Sequence, residues 1–161
     1  MRKLFTLFIA MLLGFTANTA MANDVFTKGD VLGSFTVGFG NGFAQKLAID
    51  YGLVDNGWLD GKASLGLGAS LANTIQWNSH WDDLSLIVNC SFHYQFIENL
   101  DTYVVAGIGG RMRFAGDHVG GGVDWTSSLG LRYYLTQNFA LNVEAGHTNG
   151  SFVNLGVTCR F

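Results

Sequence analysis

Two sets of residues in this 161-residue chain have the types and spacing to do chemistry. The first is Lys46, Asp50, Lys62, Arg111, Arg113, Arg132, Glu144 and Arg160, each set into an otherwise apolar segment. Their neighbours at two-residue spacing are Ser, Thr, Asn and Gly, while Leu, Val, Ile and Phe hold the positions between. That alternation marks β-strands with one polar and one apolar face. Long charged arms opposite glycines suit a crowded polar interior, where buried charges must be paired or hydrated. In-register pairing predicts Glu144 opposite Gly130 and diagonal to Arg132, with Arg111 one level up and Asp50 diagonal to Lys62. Six of the seven basic residues beyond residue 22 fall on these inner faces. The clear inward acids are Asp50 and Glu144, with Asp30 at the rim. A side-chain-filled interior is the first reading, and a narrow anion-favouring path lined by the excess cations is the alternative.

The second set lies in connecting segments. Trp77, His80, Trp81, Asp82 and Asp83 fall in one predicted loop, Asn73–Asp83, and Asp117 and His118 in another. Histidines and carboxylates of this kind hold divalent ions when they converge, and exposed tryptophans suit a binding surface. The plainer expectation is a solvated surface with no metal and no cofactor. His93 sits among Asn89, Ser91 and Gln95 on an inner face, as a hydrogen-bonded interior histidine would. Gly107, Gly109 and Gly110 lie mid-strand with no helix after them, so they do not make a dinucleotide loop.

Composition limits how such strands can be arranged. Charged residues are 13% of the chain, aromatics 14%, Gly 22 residues, and Pro is absent. So apolar a chain is neither disordered nor typical of a soluble domain. Residues 1–22 read as a cleaved secretory signal, with Arg2 and Lys3, an apolar core Leu4–Phe15 and Ala20-Met21-Ala22 before the cleavage point. Beyond it no apolar run reaches 18 residues, so a bilayer would have to be crossed by a closed β-barrel. Residues 23–161 hold 7 basic and 12 acidic residues, a charge of −5 that argues against a nucleic-acid partner. Cys90 and Cys159 fall on apolar faces of the fourth and eighth strands and are expected to stay unbridged.

Eight strands are predicted over 30–40, 44–54, 62–72, 84–96, 102–114, 124–135, 139–147 and 151–161. The short turns are Asn41-Gly42, 55–61 and Glu98-Asn99, and 115–123 is a predicted glycine-rich loop. Each segment is about 10–13 residues, the length a tilted strand needs to cross a bilayer. Aromatics gather near strand ends, as interfacial girdles do.

The hairpins FIENLDTYVVAGIGG and GLRYYLTQNFALNVEAG, and the ending VNLGVTCRF, resemble the small eight-stranded outer-membrane β-barrels, the group of the OmpA transmembrane domain and OmpX. The resemblance covers residues 23–161 and implies an all-β, antiparallel, up-and-down transmembrane barrel. It implies location in the cell outer membrane of a Gram-negative envelope, with lipid and lipopolysaccharide as surroundings. Phe161 is then the terminal aromatic read by the outer-membrane assembly machinery. It further implies a monomer, non-enzymatic, with a structural or cell-surface role and any extracellular ligand held by the loops. An OmpA-type peptidoglycan anchor is not expected. Some barrels of this kind deacylate lipid A with a lipid-facing His and a Ser two positions on. Here His147 is followed at that spacing by Asn149, and Ser151 lies across a turn, so the nucleophile is missing.

Overall fold

The computed structural model describes residues 26–59, 61–77, 81–148 and 150–161, with backbone alone at 55–58. Residues 1–22, read from the sequence as a secretory signal, lie outside the described residues. Eight antiparallel strands follow in order: β1 Val31–Gly40, β2 Gly42–Trp58, β3 Ala63–Gln76, β4 Asp82–Ile97, β5 Leu100–Ala115, β6 His118–Tyr134, β7 Phe139–Thr148 and β8 Ser151–Arg160. Each pairs with its sequence neighbours, and β8 closes on β1, giving a closed barrel. Phe161 completes the closure by donating its amide to the Val31 carbonyl at 2.9 Å. Each strand pairs with a neighbour on both sides, so the wall closes without a free edge strand, and only the ends of the longer strands run past their partners.

The period-two pattern decides which face is which. Outward positions are apolar and exposed, for example Leu47, Ile49, Leu86, Val88, Ile108 and Leu129. Inward positions are buried and polar, among them Thr36, Lys46, Asn89, Ser91, Asn142, Asn154 and Thr158. The inversion relative to a soluble barrel means that the solvent of the outer face is hydrocarbon. Both termini and the β2–β3, β4–β5 and β6–β7 turns lie at one end, the terminal end. The other four connections lie at the far end.

Three predicted connections are partly strand instead: the first is the turn expected over 55–61, through which β2 runs on to Trp58. β3 runs to Gln76 and β4 starts at Asp82, so the connection expected over 73–83 shrinks to residues 77–81. The stretch 115–123, expected as a loop, is mostly the start of β6. Gly120, Gly121 and Gly122 pair in register with Arg113, Met112 and Arg111. Three consecutive glycines show no alternation, so their strand is specified by the β5 partner rather than by their own side chains.

Candidate functional site: the lumen charge network

The lumen charges form four tiers. At mid-height, Lys46 of β2 reaches Glu144 of β7, Nζ to Oε2 at 2.5 Å. The Tyr103 hydroxyl on β5 donates to the other oxygen of Glu144 at 3.0 Å. Toward the terminal end, both nitrogens of His93 face carboxylates: Nδ1 lies 2.9 Å from Asp101 and Nε2 3.2 Å from Asp50. Arg132 donates to the same Asp101 oxygen at 2.8 Å and to the Thr158 hydroxyl at 3.2 Å, and its guanidinium lies 4.5 Å over the Tyr103 ring. Phe26, almost wholly buried, packs its ring 4.1 Å from His93 and caps this tier. At the terminal rim, Arg160 pairs with Asp30 at 2.5 Å.

The far-end tier holds Asp83, which Arg113 grips with Nε at 2.8 Å and Nη2 at 3.0 Å, while Gln76 donates to it at 3.0 Å. The Arg113 guanidinium also lies 4.6 Å over the Trp81 ring. Beside Asp83 in sequence, Asp82 points outward and is exposed, which sets this tier above the apolar band. Burial alone would raise the Asp83 carboxyl. The hydrogen bonds and charge of Arg113, with Gln76 and Arg111 adding, outweigh it and hold the group below the usual carboxylate range. Ser85 donates to Asp124 at 2.5 Å in the same region.

Seven of the eight residues expected in the network lie on inner faces. Lys62 is the correction: it is exposed in the turn before β3, because the strand begins one residue later than expected. Asp50 sits opposite Gly68, with His93 Nε2 3.2 Å from its carboxylate. Glu144 does lie opposite Gly130, but its cation is Lys46 from across the barrel, and Arg111 stands eight residues farther along β5 than Tyr103. Three inward acids were missed: Asp83 and Asp101 fall just outside the strands predicted for them, and Asp124 stands at the first position of one. Their positions continue the alternation of β4, β5 and β6, the one signal that could have found them. With them, the described lumen holds five Lys and Arg side chains against six carboxylates, so the cationic excess expected from sequence is absent. A cavity of about 30 Å³ remains at mid-height, lined in part by Lys46, Asp50, Asn89, Arg132 and Glu144. That is room for about two waters.

The far-end residues proposed as a binding surface are not gathered into one site. Trp77 is exposed, Trp81 is half-buried against Arg113, and Asp82 opens β4. Asp117 and His118 are exposed at the tip of the β5–β6 hairpin. His80 lies outside the described residues. Among the described residues no group of His, Cys, Asp and Glu has metal-binding geometry. Ser151 points inward, its hydroxyl 2.7 Å from both the Thr148 carbonyl and the Asn154 side-chain oxygen, so it does not join His147 on the outer face. His147 instead packs 4.3 Å from the Trp125 ring, with Nε2 4.0 Å from Asp124. Asn149 lies outside the described residues. Neither cysteine is bridged; Cys90 is exposed as expected, whereas Cys159 is buried.

No protein-family model matches the chain, and no curated protein matches it. Solved structures do. A de novo designed transmembrane β-barrel is similar at 22% identity and TM-score 0.56, over 84% of this chain and 98% of that one. The N-terminal β-barrel domain of OprF from Pseudomonas aeruginosa is similar at 20% identity and TM-score 0.54, over 84% and 100%. The fold is that of an eight-stranded antiparallel transmembrane β-barrel.

Proposed function

We propose that the chain is a monomeric outer-membrane barrel, exported by a cleaved signal, with a side-chain-filled lumen and a non-enzymatic role at the cell surface. In that reading the termini face the periplasm and the far end faces outward. Lipid and lipopolysaccharide surround the barrel, and Phe161 serves its assembly.

One observation supports an interaction role above the others. β6 pairs with β5 from His118 onward, but β7 joins it only from Thr126, opposite Thr148. Residues 118–125 of β6 therefore have β5 on one side and, among the described residues, no strand on the other. The Trp125 amide turns away from β5 to the Asp124 carboxylate at 3.0 Å. By alternation the amides of Val119, Gly121 and Val123 face the same open side. An edge of this kind, free of proline and poor in charge, accepts an extended segment of another protein as an added strand.

The test is adhesion of intact cells displaying the barrel to a surface coated with a mixture of extracellular proteins. Shortening the hairpin between residues 113 and 121, or Gly121→Pro on the edge, removes the adhesion, while Lys46→Met/Glu144→Leu in the lumen retains it. Equal adhesion with and without the hairpin contradicts the reading.

A further inference from the structure

Side-chain size steps sharply across three neighbouring strands on the outer face near the terminal end. Register aligns Phe92 of β4, Val104 of β5 and Leu129 of β6 in one row, and Tyr94, Thr102 and Leu131 in the next. A row higher the aligned residues are Cys90, Ala106 and Ser127, all small. The aromatic ridge and the leucine ridge thus flank a low floor along β5. The result is a groove of about 660 Å³, closed at its lower end by Leu59.

The groove is apolar by construction. Its floor hydroxyl, Thr102, is spent on the Tyr94 carbonyl at 2.5 Å. The ridge is stiffened by the Tyr94–Phe96 edge contact, with centroids 4.6 Å apart. From Thr102 to Ala106 the floor runs about 14 Å at ~3.4 Å per residue, opening toward mid-bilayer. An unbranched chain fits such a track, whereas a folded protein surface does not follow a furrow one strand wide.

The lower end carries the matching charge. The turn that holds Leu59 is stapled to β4, the Lys62 carbonyl accepting the Gln95 amide at 2.9 Å. Lys62 is exposed there, in the turn three residues beyond Leu59. Glu98, exposed in the adjacent β4–β5 turn, opposes a second anionic group. We infer that the β4–β5–β6 groove is a phospholipid site, seating one acyl chain along β5 with a single headgroup phosphate on Lys62. This inference rests on the transmembrane fold alone and stands or falls separately from the surface role.

Native mass spectrometry of the refolded barrel in detergent tests it, with palmitoyl-oleoyl phosphatidylglycerol and diacylglycerol as probes. The native protein is expected to retain one phosphatidylglycerol. Val104→Trp or Ala106→Phe, each filling the groove from the outer face, lowers that retention at least fivefold while the folded barrel is unchanged by circular dichroism. Lys62→Ala lowers it two- to fivefold for phosphatidylglycerol and leaves diacylglycerol unaffected. Leu86→Trp, outward but outside the groove, has no effect. Retention unchanged by both groove variants, an equal loss with Leu86→Trp, or a protein dimer in place of the lipid adduct would overturn the inference.

Discussion

Glu144 and Lys46 join strands that are not neighbours. β7 and β2 are separated by β8 and β1, yet Oε2 and Nζ lie 2.5 Å apart, with both side chains less than a tenth exposed. Tyr103 adds a third strand, β5, to the same carboxylate. One acid therefore ties three walls of the barrel through its centre. Removing one partner leaves the other charge buried without compensation, which costs about 3–5 kcal/mol. Glu144→Ala is expected to lower the stability of the barrel by that amount in urea unfolding from lipid vesicles. Lys46→Met/Glu144→Leu is expected to cost clearly less than Glu144→Ala alone, since no charge is stranded. Additive single and double effects would mean that the pair is not coupled.

Gly130 makes room for Tyr103. A Cβ at position 130 would stand inside the Tyr103 ring. Gly130→Ala is expected to displace the ring, break its bond to Glu144 and cost about 1–3 kcal/mol, the usual range for overpacking. Tyr103→Leu in the same chain should recover part of that loss. If Gly130→Ala unfolds at the native urea concentration, the ring is not held where the structure has it.

The Asp83–Arg113 contact gives the far end an acid-side dependence. The folded Asp83 carboxyl lies below its usual range, so the contact contributes fully above the unfolded value of about 3.9 and is lost as pH falls through the lower folded value. Amide exchange at the paired ends of β4 and β5 should be flat between about pH 5 and 8 after correction for the intrinsic rate. It should rise in Asp83→Asn. The effect is small, because Arg113 is about a third exposed and solvent screens it.

The alternation of Leu, Val and Phe against Ser, Thr and Gly made the strands, their order and the outward apolar face legible, because a barrel in lipid writes its two environments onto odd and even positions. What the sequence hid is nonlocal. Lys46 and Glu144 are 98 residues apart and on unpaired strands, so no hairpin register brings them together. Asp101 lies one position before the predicted start of β5, and a one-residue error there removed the partner of both His93 and Arg132. The glycines of β6 left no period to read, so the open edge of residues 118–125 emerged only from the pairing.

Single-channel recording from the mature barrel in a planar bilayer addresses the filled lumen most directly. The native protein is predicted to be electrically silent, because the buried Lys46–Glu144–Tyr103 tie crosses the lumen at mid-height. Lys46→Ala/Glu144→Ala/Tyr103→Ala, which removes the central tie, is predicted to open discrete steps. Discrete, ion-selective steps from the native protein would contradict the account and make the lumen a conduction path.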